Sequence, residues 1–190
     1  MTKENIIILP NKNLRLKSKK ITVINQKILD IIEMMKAATI DWDSSREHEV
    51  GVALAAIQID QPYKIIIIRN DFNKKEDKTF SIFINPIITK FEGNQIEDYE
   101  GCLSVPEIYG KVSRYDKVYV SAIDQNAKPI KITAEGFLAR IFQHEIDHTK
   151  GKLFIDHIKS NQKAFFKLIS NGDLEPLNYE ENIKNNPILW

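Results

Sequence analysis

Apolar side chains recur at helical spacing across residues 25–43 (NQKILDIIEMMKAATIDWD), at Ile28, Ile31, Ile32, Met35, Ala38 and Trp42. Positions three and four apart share one helix face, so this stretch predicts a helix with a single buried stripe and Asn25 as its N-cap. Ser44 to Val50 is polar and charged and reads as a surface loop, followed by a small-residue segment, GVALAAIQ, at 51–58. The pattern then changes. Tyr63–Arg69, Phe80–Asn85 and Lys117–Ile123 are dense in Ile, Val and aromatics and are bounded by Pro, Asn and Asp, which predicts strands. Lys128–Thr133 is another, with a hairpin turn at 124–127 in which Asn126 takes the positive φ. Residues 71–78 form a charged loop. Helical spacing returns over 134–151 (AEGFLARIFQHEIDHTKG), with Phe137, Leu138, Ile141, Phe142 and Ile146 as the stripe and Gly151 as the stop. A short last helix is expected over Asn161–Ser170. From Asn171 the chain is polar, with Pro176 and Pro187, and reads as a loose tail. Strands grouped between two substantial helices predict an α+β fold. One domain over 1–170 and a polar tail over 171–190 complete the expectation.

Composition narrows the class. Lys plus Arg number 27 and Asp plus Glu 26, a net charge of +1, so there is no footprint for nucleic acid or an anionic membrane surface. No aliphatic run, Ile65 to Ile68 included, comes near the ~20 residues that span a bilayer. The apolar run before Pro10 is too short for a signal-peptide core. The one cysteine, Cys102, permits no intrachain disulfide and suits a reducing compartment.

The candidate chemistry lies in the second helical segment. His144-Glu145-Ile146-Asp147-His148 is HExxH. Residues i and i+4 lie a turn apart on one helix face, so both imidazoles can reach one ion, and Glu145 can meet a water beside it without ligating. A catalytic site needs a third ligand. A third His in the extended HExxHxxGxx pattern is missing, because Phe154 stands at that position. Glu175, Glu180 and Glu181 fall in the expected tail, and His157 lies past the helix stop. Cys102, in Glu100-Gly101-Cys102-Leu103-Ser104, remains. A Cys-His-His set leaves a fourth position open for water.

Three segments together resemble the signature motifs of the peptide deformylase family, in the family's order: GVALAAIQ (51–58), EGCLS (100–104) and QHEIDH (143–148). LPNKNLR (9–15), the stretch 104–118 and GKLFID (151–156) add to the likeness, which spans roughly residues 5–160. The architecture expected with it is antiparallel or mixed β-sheets packed around a central helix carrying HExxH, with an N-terminal helix and a short C-terminal helix.

The resemblance implies a metal-dependent amide hydrolase that removes the N-formyl group from the N-terminal formyl-methionine of nascent polypeptides and releases formate. Cys102, His144 and His148 would hold one divalent ion per chain, Fe²⁺ natively, with Ni²⁺, Co²⁺ or Zn²⁺ able to substitute. Glu145 would act as general base and then general acid on a water that the ion activates. The Gln58 side chain and the Leu103 N–H would stabilise the oxyanion. Gly51 would let the backbone approach the substrate, and Val52, Phe137 and Ile141 would line the methionine pocket. The implied setting is a bacterial cytoplasm, as a monomer acting on nascent chains near the ribosome exit, without nucleic-acid specificity or membrane contact. The chain departs from the family pattern at Ala53, where a glycine is usual and a positive φ would strain the alanine. It departs also at Asp60, Tyr109 and Thr149, and it shows no long basic C-terminal helix. Two other readings of the residues stay open: an HExxH zinc peptidase, and a non-catalytic metal-stabilised binding module.

Overall fold

A computed structural model describes residues 5–45 and 49–190. Residues 46–48 of the expected surface loop lie outside the described residues. The first helix, α1 (Gln26–Ser44), runs as the spacing predicts. Its stripe of Ile28, Ile31, Ile32, Met35, Ala38 and Trp42 is buried, and the Asn25 side chain accepts from the Ile28 N–H at 3.2 Å. Each large apolar side chain so buried is worth about 1.5–3 kcal/mol before chain entropy is counted against it.

The strands follow: β1 (Ala53–Ala55), β2 (Ile65–Arg69), β3 (Phe80–Cys102), β4 (Val105–Ile123) and β5 (Pro129–Glu135). Then come α2 (Gly136–His148), α3 (Phe154–Ile158), β6 (Phe165–Leu168), β7 (Leu174–Pro176) and α4 (Tyr179–Asn182). All seven strands join one sheet in the order β1-β2-β3-β4-β6-β7, with β5 also on β4, and every strand pair is antiparallel. Alternation along β2 explains the layering. Ile65 and Ile67 point into the cluster built on α1, while Ile66 and Ile68 point into a second cluster with Phe142 and Ile146 of α2. The sheet is therefore covered by α1 on one face and by the HExxH-bearing helix on the other.

Four expectations need correction. Strands β3 and β4 reach far beyond Phe80–Asn85 and Lys117–Ile123, forming a long hairpin whose outer stretch faces water and so carries polar side chains. Register shifts at four places bend it. The segment expected as a helix over Asn161–Ser170 instead contains β6, which pairs with Ile108–Gly110 of β4 and buries Phe165 and Phe166. Residues 171–190 are not loose: β7 pairs with β6, and Ile183 and Leu189 are buried against Phe154 and Phe165. In the turn after β4 the positive φ falls on Ala127, not Asn126. Asp124 Oδ1 accepts from the N–H of both Asn126 and Lys128 at 2.8 Å, which moves the left-handed residue one place on.

The departures from the motif patterns are accommodated. Ala53 lies in a strand and is not a positive-φ residue, so its Cβ brings no backbone strain. Asp60 does adopt a left-handed φ of 58°, a conformation short polar residues tolerate, and its carboxylate accepts from Asn13 at 2.7 Å. Thr149 is buried with its hydroxyl donating to the Ile146 carbonyl at 2.8 Å. Gly151, with φ +74°, ends the turn after α2 where a Cβ would collide with the Arg15 carbonyl. The N-terminal segment is thereby held against the back of the HExxH helix.

Candidate metal centre

Cys102 closes β3 at a register shift between Glu100 and Cys102, and such a break re-aims a side chain at the end of a ladder. It turns toward α2, where His144 and His148 lie one helical turn apart with ring centroids 5.0 Å from each other. One ligand atom from each of Cys102, His144 and His148 falls within 4.8 Å of the other two. Cys102 Sγ is 3.3 Å from His148 Nε2. These three form the one His/Cys/carboxylate cluster among the described residues with that geometry.

The orientation of His144 has a clear cause. Its Nδ1 is 3.0 Å from Glu100 Oε2, which leaves Nε2 to face the cluster. Such outer carboxylates fix the tautomer of a ligating imidazole. Glu100 in turn is held by Arg114 at 2.9 and 3.1 Å and by Arg140 at 2.8 Å. Arg114 also donates to Asp147 at 2.6 Å, and His157 Nε2 is 2.8 Å from that same carboxylate oxygen. His157 therefore belongs to the carboxylate network and stands outside the three-residue cluster.

Electrostatics fit a cation. Burial disfavours a charged His144, yet the Cys102 thiol and Glu100 outweigh it and hold His144 well above its ordinary value. To ligate an ion through Nε2, His144 must give up that proton. His148 is pushed well below its ordinary value, first by burial and then by His144, which keeps it neutral as a ligand must be. Glu145 Oε2 is buried without a hydrogen-bond partner among the described residues. Burial first, then Glu100, raise the Glu145 carboxyl to about 7, against an opposing pull from His144. A donor set of one thiol and two imidazoles, His148 buried and the other two half-buried, beside a carboxyl oxygen with no partner, suits a divalent ion with an open position.

The structure places most of the residues singled out in the sequence around one cavity of about 330 Å³. Cys102, His144 and Glu145 line it, together with Gln58, Leu103, Val52, Phe137 and Ile141. Gln58 is not a solvated polar residue: it is 1% exposed. Its Oε1 accepts from the Ala55 N–H at 2.9 Å, which turns Nε2 to Ser104 Oγ at 3.1 Å and Cys102 Sγ at 3.6 Å. Gly51 does not line the cavity. A Cβ there would lie 2.8 Å from Thr39 Cγ2, its N–H donates to Asp43, and its carbonyl accepts from Arg69 Nε at 3.1 Å. The sequence reading missed Glu100, Arg114, Arg140 and Asp147 as a group. The available signal was a set of charged residues at buried positions, two of them on α2 itself.

Two consequences are measurable. Glu100→Gln should cost about 3 kcal/mol of stability, because Arg114 and Arg140 would keep buried charge with less compensation. It should also weaken ion affinity by about 10–100-fold, through the loosened His144 ring. Chemical denaturation and ion titration would read these effects. Asp147 gives a pH dependence. Burial pushes its carboxyl up, but His157 and Arg114 outweigh this and bring it down to about 2. A carboxyl whose folded pKa is depressed adds stability above its unfolded value of 3.8, and that stability is lost as pH falls through about 2. Chelator-treated protein should therefore lose melting temperature between these values, and Asp147→Asn should flatten the curve there.

Comparison with known proteins gives the chain its family. The family profile described as polypeptide deformylase matches residues 3–164. A peptide deformylase of Aquifex aeolicus is 40% identical over 157 residues, 82% of this chain and 87% of that protein. One of Halothermothrix orenii is 42% identical over 145 residues, 76% of this chain and 86% of that protein. Among solved structures, the peptide deformylase of Legionella pneumophila superposes with a TM-score of 0.71 at 37% identity, covering 80% of this chain and 83% of that one. The Synechococcus elongatus peptide deformylase in complex with actinonin gives a TM-score of 0.72 at 31% identity, covering 82% of this chain and 80% of that one. Matched along most of its length in sequence and in fold, this chain belongs to the peptide deformylase family.

Proposed function

We propose that this chain removes the formyl group from the N-terminal formyl-methionine of nascent polypeptides, with Cys102, His144 and His148 holding one divalent ion. The observation that carries the reading is the clustering of those three side chains, with Cys102 and His144 opening onto one cavity that Glu145 and Gln58 also line. Fe²⁺ is our assignment for the ion, with Ni²⁺, Co²⁺ or Zn²⁺ able to replace it, and such an ion supplies Lewis acidity and lowers the pKa of a water.

The protein's own groups do the rest. Glu145, buried beside the cluster, takes the proton of the attacking water and delivers it to the departing methionine amine. The C–N bond of the formamide breaks, giving formate and a free N-terminal methionine. Charge collects on the formyl oxygen during attack. Gln58 Nε2, held toward Cys102 by the Ala55 contact, and the Leu103 N–H donate to it. Such a donor is worth about 3 kcal/mol of barrier. Val52, Phe137 and Ile141 enclose the methionine side chain, and Gly51 supports that wall from behind through Asp43 and Arg69. No helix among the described residues is long and apolar enough to cross a membrane. We place the protein in a bacterial cytoplasm, as a monomer working near the ribosome exit.

The test is product identity. Ion-loaded protein is incubated with formyl-Met-Ala-Ser and, separately, with a longer end-blocked peptide. The reading predicts loss of the formyl group alone from the first and no change in the second. Cleavage of internal peptide bonds without formate would replace it with an HExxH peptidase.

A further inference from the structure

The end of α1, the first motif segment and the charged loop over 71–78 meet at one buried cation. Arg69, the last residue of β2, has its side chain fully removed from water. All three guanidinium nitrogens donate. Nη2 binds Asp43 near the end of α1, and Nε binds the Gly51 carbonyl at 3.1 Å. Nη1 binds the Lys75 carbonyl at 3.2 Å and the Asp77 carbonyl. With its other oxygen, the buried Asp43 carboxylate accepts from the Gly51 N–H. The Arg69 N–H donates to the Val52 carbonyl at 2.8 Å. Asp43 and Arg69 together thus hold three consecutive peptide groups around Gly51 and Val52.

Both sides of this arrangement reach the cavity. Val52 lines it directly. The loop reaches it through Phe72, whose ring meets Phe137 edge-on at 5.4 Å. Phe137 lines the cavity from the first turn of α2 and is 49% exposed, so it has few other neighbours to fix its place. Two walls of the cavity, from different elements, therefore depend on one guanidinium. A lysine would balance the Asp43 charge as well. It could not reach this spread of acceptors, because only a guanidinium carries five donors in a fixed planar fork.

We propose that Arg69 and Asp43 are a positioning pair that fixes the spacing of Val52 and Phe137, and so makes the pocket select methionine over smaller side chains. The proposal rests on the formyl-removal reading and names what gives that site its selectivity. Neither residue touches the substrate. A pocket discriminates against a smaller side chain only while its walls cannot close on the space left empty. Released from Arg69, the Val52 backbone and the loop behind Phe137 can shift, and that discrimination falls.

The experiment measures kcat and KM for formate release from formyl-Met-Ala-Ser and formyl-Ala-Ala-Ser, using full-length ion-loaded protein. Arg69→Lys should raise KM for the methionine peptide about tenfold and leave kcat within about threefold. Its preference for methionine over alanine should fall about five- to tenfold. Phe72→Ala, at a half-buried loop position, should lower the preference in the same direction without removing a buried charge. Lys78→Ala, exposed in the same loop, should leave it as in wild type. A smaller folded fraction lowers kcat but moves neither KM nor the preference, so a merely structural role is distinguishable. Wild-type preference in both Arg69→Lys and Phe72→Ala overturns the positioning role, and so does a loss confined to kcat. If Arg69→Lys does not fold, Phe72→Ala decides alone. No formate from the wild type with either peptide is a different result: it overturns formyl removal itself.

Discussion

Replacing Glu145 by Gln is expected to slow formate release by about 10³-fold while the ion stays bound. Positioned proton transfer contributes about 10²–10⁴-fold in other enzymes, and in the proposed reaction Glu145 serves twice, first as base and then as acid. Its environment suits both duties. The carboxyl is buried beside the ligand cluster, and burial lifts it to about 7, so near neutral pH it can both take and give a proton. Glutamine keeps the volume and polarity but cannot carry the proton. Because Glu145 lies outside the Cys102–His144–His148 cluster, ion content should match wild type. Ion analysis and a rate on the same sample check both halves. A variant that loses the ion would move Glu145 into the ligand set.

Cys102→Ala should abolish formate release and tight ion binding together. Two imidazoles remain, one ligand short of the usual catalytic set. The change also removes the sulfur that lies 3.3 Å from His148 Nε2 and 3.6 Å from Gln58 Nε2, so the proposed oxyanion donor loses a neighbour as well. An ion that binds only the folded state stabilises by an amount that grows with its concentration over Kd. The wild type should therefore melt higher with added Ni²⁺, and Cys102→Ala should show no such rise. A variant that keeps both the ion and the thermal shift would mean that another group completes the site.

The parts of the protein that were legible in the sequence are those whose signals are local. The α1 stripe, its Asn25 cap and the HExxH spacing each depend on neighbours within a turn, and each is present in the structure. The α2 helix is likewise bounded within two or three residues of its expected ends. Long-range pairing was not legible. Ala164, Phe165 and Leu168 have spacing that a short helix would also satisfy, and only pairing with β4 makes that segment a strand. The outer half of the β3–β4 hairpin carries Lys, Glu, Asn and Asp on a solvent face, so no apolar alternation announced it. Ile183 and Leu189 are isolated apolar residues in a polar stretch, and burial against Phe165 gives them their place.

The site divides the same way. The proposed ligands, the proposed acid–base carboxyl, Gln58 and the positions proposed for the methionine pocket came from the motifs and the family resemblance. The support did not: Glu100 orients His144 through a chain of charges that involves Arg114, Arg140, Asp147 and His157 from different elements. Leu174 reaches the cavity through two successive strand pairings.

The most direct test is formate release followed against ion content. Protein stripped of metal under anaerobic conditions receives Fe²⁺ in steps, and each sample is assayed with formyl-Met-Ala-Ser. The account predicts no release from the stripped protein, a rate that climbs in proportion to bound ion, and a plateau when each chain holds one. Full activity in the stripped protein, or activity that ignores ion content, would contradict it.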